Sequence, residues 1–283
     1  MRKITLFFRR CSLLVLALAA FSAPGWAQNA LRPISPLEPF TMTGLYRVTW
    51  NGINVGRLVL KTKETDDDYA LEAYVKSSGI AHLLTRHEST SSVKGNIKGN
   101  QHLPKRFETI FKLRGKTRHI ILDYDDDGNL VKEFNDPPEN RQKRPEVPEE
   151  LKKHVIDVLT LLFAQRGKIY RALLTDTPTF TLRAYDGRRL TDLQFTIHGR
   201  KTLFINDTNQ HVVHYSVHRE PVAGYKDSEL EKIQQEKEPD INMYLSDDGK
   251  LVPLRIAISS EAGDFYANFT KDCESLEACL KRL

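Results

Sequence analysis

From residue 44 onward the chain alternates apolar and polar positions with a period of two. Tyr46, Val48 and Trp50 share one face of "GLYRVTW", and Tyr69, Leu71, Ala73 and Val75 share one face of "YALEAYV". Phe107, Thr109, Phe111 and Leu113 do the same in "FETIFKL". The pattern returns at Phe180, Leu182 and Ala184, at Leu193, Phe195 and Ile197, and at Val213, Tyr215 and Val217. It recurs near the C-terminus at Leu254, Ile256 and Ile258 and at Phe265, Ala267 and Phe269. Side chains that alternate in this way belong to strands with one buried face. The runs are separated by "LRGK", "DDDGN", "YDGRR", "IHGR" and "SDDGK", all turn signals. Many short strands with Gly or Asp-Gly turns predict a mainly β fold. We expect a curved or partly closed antiparallel sheet, barrel-like or a half-barrel.

One segment has a different period. In "PEVPEELKKHVIDVLTLLFAQRG", Leu151, Val155, Val158, Leu159, Leu162 and Phe163 recur at helical spacing. Pro148 suits a first turn, Glu149 and Glu150 complement the dipole, and Gly167 can end the element. The spacing predicts one amphipathic helix at about 148–165, packed on the sheet with its apolar stripe inward. A second, short helix is expected at 228–237, where Ser228 and Glu231 have capping-box spacing. A third is expected at the C-terminus, within 271–283, with Ser275 as N-cap.

The stretch "DYDDDGNLVKEF" places Asp123, Asp125, Asp127 and Gly128 at the first positions of a calcium-loop pattern. Position 12, which needs a bidentate Glu between two helices, is Phe134, and the flanks "KTRHIILDY" and "LVKEF" alternate as strands. A hairpin turn is therefore expected, and no metal site. His211, His214 and His218 lie on a strand with His211 facing away from the other two, a poor zinc set. We find no dinucleotide glycine pattern, P-loop or nucleophile elbow, so no cofactor or catalytic residue is assigned.

The N-terminus changes the charge argument. Arg2, Lys3, Arg9 and Arg10 precede the apolar run "CSLLVLALAAF", and Gly25 and Ala27 stand where small residues mark a cut. This pattern predicts a signal peptide at 1–27, cleaved after Ala27, and a periplasmic protein. Residues 28–43, with Pro33, Pro36 and Pro39, are expected to form an extended arm. The whole chain carries 42 basic and 37 acidic residues, but without the four basic residues of the leader the balance is only +1. A nucleic-acid role loses its support, and no later segment is apolar enough to cross a membrane as a helix. Basic residues do gather at hairpins, notably Lys112, Arg114, Lys116 and Arg118, a candidate contact for anionic lipid or glycan. Two cysteines remain, Cys273 and Cys279. On one continuous helix they would lie about 9 Å apart, beyond the usual limit of about 7 Å for a disulfide. With a helix starting at Ser275, Cys273 falls outside it and the two can pair.

Several stretches together resemble a bacterial envelope family known as domain of unknown function 3108. They are "YRVTWNGINVGRLVL" with Trp50, Gly52, Val55 and Gly56, "SSGI" with Gly79, "LPKRFE" with Pro104, "DVLTLL" with Asp157, "AYDGRR" with Asp186 and Gly187, and "YLSDDGKLVPLRI" with Pro253. They spread across most of residues 44–270, which we take as a single β-rich domain. In "DVLT" the family often has Pro after the Asp, so whether Asp157 caps a helix or lies inside one is open. The resemblance implies a secreted β-rich domain without catalytic residues to carry over. The expected function is non-enzymatic binding or envelope maintenance, with a lipid, acyl chain or envelope protein as partner. Trp50, Phe111, Leu159, Leu162 and Phe163 are the candidate lining of an apolar groove. A hydrolase and a structural partner-binding protein are the alternatives.

Overall fold

The computed structural model describes residues 33–236, 240–260 and 263–283. The expected leader and the first residues of the arm lie outside them. Ile34–Leu283 forms one compact unit. Its strands are β1 (Met42–Trp50), β2 (Ile53–Glu64), β3 (Asp68–Ser77), β4 (Glu88–Lys98), β5 (Gln101–Leu113), β6 (Lys116–Tyr124) and β7 (Leu130–Asp136). After a long connection follow β8 (Thr179–Tyr185), β9 (Leu190–Ile205), β10 (Thr208–Ala223), β11 (Ile241–Ser246), β12 (Pro253–Ser260) and β13 (Gly263–Asp272). The helices are α1 (Gly79–Thr85), α2 (Thr160–Thr175), α3 (Asp227–Glu236) and α4 (Leu276–Leu280).

All strands belong to one antiparallel sheet in the order β7-β6-β5-β4-β3-β2-β1-β13-β12-β11-β10-β9-β8. The first strand pairs with the last, with Trp50 opposite Phe265 and Val48 opposite Ala267. The sheet does not close: β7 and β8 are its two edges. Because neighbours alternate in direction, the β1–β2, β3–β4, β5–β6 and β12–β13 connections share one rim. The β2–β3, β4–β5 and β6–β7 turns share the other. The last of these is the "DDDGN" turn, a hairpin as expected. The Asp125 carboxylate accepts from the backbone N–H of Asp127 (3.0 Å) and Asn129 (2.8 Å), and Gly128 supplies φ of 77°.

The mid-chain helix is not where the apolar spacing puts it. Glu149–Lys152 is a single 3-10 turn, His154 turns left-handed (φ 55°), and Ile156 pairs with Ala184 as an extra bridge on β8. The helix starts at Thr160, because the buried Asp157 carboxylate accepts from the N–H of Leu159 (2.8 Å) and Thr160 (2.9 Å). Asp157 thus caps the helix. Val158, expected on the buried stripe, is exposed, and Gly167, expected at the end, is internal. The helix at 228–237 is found as α3, but its cap is shifted: Glu229, not Glu231, reaches back, accepting from Lys226 N–H at 3.0 Å. Gly79–Thr85 had no counterpart among the expected helices.

Two core clusters fill the domain. Tyr46, Leu71, Phe107 and Leu122 from β1–β6 pack with Phe163 of α2. Phe195, Tyr215 and Leu245 from the other half pack with Ile169. One turn and a half of α2 therefore joins the two halves of the sheet. A third cluster lies apart from these two, where Leu45 and Val59 meet Cys279 of α4. Cys273 and Cys279 are disulfide-bonded with Cα atoms 5.6 Å apart. Ser275 Oγ accepts from Ala278 N–H at 3.2 Å, the expected cap.

Candidate functional site

A cleft of about 1000 Å³ opens between α2 and the rim that carries the β2–β3, β4–β5 and β6–β7 turns. The helix contributes Ala164, Gly167, Lys168 and Arg171, and the turns contribute residues such as Asp66 and Asn100. Apolar side chains alternate with polar ones around it: Ile97, Leu103, Leu174 and Leu182 stand among charged neighbours. Gly167 has no atom within 4 Å of where a Cβ would stand, so its flank of the helix is open.

The polar wall of the cleft is a buried ionic network. Glu64 ends β2, His102 follows the start of β5, and Arg166 projects from α2. Glu64 Oε1 lies 2.8 Å from His102 Nε2. Its other oxygen accepts from Arg166 and, at 2.6 Å, from the N–H of Phe40. Arg166 also donates to the carbonyls of Glu38 (2.6 Å) and Lys250 (3.0 Å), so it fastens the N-terminal arm and the β11–β12 turn to the helix. Its side chain is almost wholly buried and lies over the Phe40 ring at 4.8 Å. Burial pushes the Glu64 carboxyl up, but the bond to His102 and the charge of Arg166 outweigh it and hold the group below its usual range. The His102 ring is stacked on Phe163 at 5.6 Å and meets Tyr69 edge-on at 5.2 Å. Tyr69 Oη lies 2.8 Å from Thr160 Oγ1, which donates to Asp157 at 2.6 Å. Burial raises the Asp157 carboxyl above its usual range despite these donors. Among the described residues no Ser, Thr or Cys side chain bonds to His102.

The expected groove residues divide. Phe163 belongs to the first core cluster and Phe111, Leu159 and Leu162 pack against it; none of the four lines the cleft beside α2. Trp50 stands on the rim opposite the cleft, stacked on Phe265 at 6.4 Å. Of the basic hairpin residues, Lys112, Arg114 and Lys116 are exposed. Arg118 is not available to a ligand: it pairs with Glu139 at 2.9 Å and donates to Asn135 and Pro137. Glu133, Glu146 and Glu149 bring carboxylates within 4.8 Å of one another. Lys152 supplies the cation to two of them, at 3.1 Å from Glu133 and 2.7 Å from Glu149.

Glu64, His102 and Arg166 were not singled out from the sequence. One signal was present: Arg166 follows Phe163 by three positions, so it lies on the apolar face of its helix. A charge there must be buried with a partner.

These features define a class: an open antiparallel sheet curled into a barrel-like domain, with a helix joining its two halves and a cleft at one rim. A solved β-barrel-like protein of the domain of unknown function DUF1849 from Brucella abortus has the same fold. It is 10% identical, with a TM-score of 0.50, over 85% of this chain and 100% of that one. The family model for a protein of unknown function, DUF3108, matches residues 45–270, and the chain belongs to that family. No curated protein matches it.

Proposed function

We propose that this is a non-enzymatic binding protein of the bacterial envelope that holds a single-chain lipid in the cleft beside α2. The carrying observation is the cleft of about 1000 Å³, large for a ligand site, with apolar side chains set among charged ones of both signs. Ile97, Leu103 and Leu174 suit an acyl chain, and Lys168 and Arg171 suit an anionic head group. The interior between the strands is filled by Tyr46, Phe107, Leu122 and Phe163, which favours the rim over a lumen as the binding place. The binding reading is favoured over a hydrolase because no nucleophile meets His102 among the described residues: Nε2 faces Glu64, and Nδ1 is buried without a partner. The envelope assignment rests on the leader-like N-terminus and the Cys273–Cys279 bond.

Native mass spectrometry of the purified protein tests this. The expected result is a lipid-sized adduct that is absent from Gly167→Phe, whose new side chain would fill the open flank of the helix. A bare mass in the parent, with no uptake of extracted envelope lipid, would overturn it.

A further inference from the structure

At the rim opposite the cleft, α1 is built inside out. Its sequence GIAHLLT has Ile80, Leu83 and Leu84 at one-face spacing, and none of its residues is buried. Leu83 is 78% exposed, Leu84 70% and Ile80 66%. A surface helix normally turns such a stripe to the core; this one turns it to solvent. The neighbouring tips on the same rim are also apolar: Ile53, 59% exposed, pairs with Trp50, which pairs with Phe265, and Leu113 is exposed at the β5–β6 hairpin.

These tips form one platform. Ser78 N–H donates to Val55 O (2.9 Å), which ties α1 to the β1–β2 hairpin, and Arg114 N–H donates to Thr85 O (2.7 Å), which ties the β5–β6 hairpin to α1. Asn51 N–H donates to Asp264 O (2.9 Å), and Asp264 N–H to Asn51 Oδ1 (2.8 Å), which joins the β12–β13 tip. Four exposed cations, Arg86, Lys112, Arg114 and Lys116, lie on the α1 and β5–β6 side. Among the described residues none of the four has an ion-pair partner: Glu88, opposite Lys112 in the sheet, pairs instead with Lys76 at 4.0 Å.

We propose that this rim docks the protein on an anionic lipid bilayer, with Ile80, Leu83 and Leu84 entering the acyl boundary and the four cations meeting head groups. A protein partner would also cover apolar surface. Unpaired Lys and Arg on the same rim as exposed Leu and Ile are what a lipid interface selects. The proposal goes beyond the cleft and does not depend on what the cleft holds.

The test uses protein starting at Gln28, which keeps the whole Ile34–Leu283 unit. It is mixed with vesicles of phosphatidylglycerol and phosphatidylethanolamine, or of phosphatidylcholine alone. Flotation and the fluorescence of Trp50 are read at low and high salt. The expected result is partition onto the anionic vesicles only, weakened by salt, with a blue shift of Trp50. The double variants Leu83→Asp/Leu84→Asp and Arg114→Glu/Lys116→Glu should each partition on the order of tenfold or more weakly. Their melting should be unchanged, because the substituted side chains are exposed. Gly167→Phe should partition like the parent, so failure of the cleft reading and of this one are separable. No partition of the parent, equal partition onto both vesicle types, or indifference to both double variants would overturn the proposal. So would a co-purifying protein released by those variants while the parent ignores vesicles.

Discussion

Arg166 is the residue on which the site hangs. It sits on the inner face of α2, and it binds a carboxylate 102 positions earlier in the chain and a carbonyl 84 positions later. Removing one member of a buried pair strands the other charge, which typically destabilises by about 3–5 kcal/mol. The pair should also show in the pH dependence of stability. The folded Glu64 carboxyl lies below its usual value of 4.5. A depressed folded pKa contributes stability that is present above the unfolded value and is lost as pH falls through the folded one. Urea unfolding of the parent from pH 6 downward should therefore weaken below about pH 4.5. Glu64→Gln should be less stable at neutral pH and have a flatter profile across that acid window. Equal slopes for parent and variant would mean that Glu64 is not held ionised by Arg166 and His102.

At the scale of elements, α2 decides which half of the apolar spacing is helical. Residues 151–163 have one hydrophobic period but adopt a 3-10 turn, an extended bridge and the first turn of a helix in succession. The switch is Asp157, and its effect is testable on two residues of the expected stripe. Phe163 is wholly buried between Phe40 and Tyr69, so Phe163→Ala should lose about 3–5 kcal/mol. Val158 is 44% exposed, so Val158→Ala should stay within about 0.5 kcal/mol. Comparable losses in chemical denaturation would restore the longer helix. The strands that alternate cleanly were legible because only one face is buried. β2 was not, since Leu58, Val59 and Leu60 run together: Leu60 faces the main core and Val59 the α4 side. β4 was hidden for the opposite reason. Ser91 hydrogen-bonds Thr109 on β5 at 2.7 Å, so hydroxyls stand where the pattern looks for apolar groups. The site was less legible than the sheet, because Glu64 and His102 are 38 positions apart and only the folded sheet brings them together.

The whole molecule raises a question that no single element answers: why an open sheet with two edges stays curled. Unpaired edges invite strand addition, and here the long connection between β7 and β8 covers the seam. Glu133 on β7 accepts from the Tyr185 hydroxyl on β8 at 2.8 Å, and Lys152 bonds the same carboxylate at 3.1 Å. Deeper in the connection, Glu139 binds three arginines: Arg118 from β6, Arg188 from the β8–β9 turn, and Arg144, which is almost wholly buried. Burial pushes the Glu139 carboxyl up, but the three guanidinium groups outweigh it and hold it below its usual range. Arg144 goes on to Glu229 of α3 at 2.7 Å. One carboxylate therefore links β6, next to one edge, and the β8–β9 turn, at the other, to the connection that crosses them. Glu139→Ala would leave the guanidinium groups of Arg118, Arg144 and Arg188 facing one another, with Glu229 beside Arg144 and Asp136 near Arg118. We expect a loss of about 3 kcal/mol or more. The loss should also be local before it is global. Amide exchange should quicken first at β7 and β8, the edges released from their clamp, while β2 and β3, paired on both sides, keep their protection. Tyr185→Phe, which removes one bond across the seam, should produce the same spatial pattern with a smaller amplitude. Uniform acceleration through all strands in Glu139→Ala would mean that the sheet opens as a unit and that the seam has no separate stability.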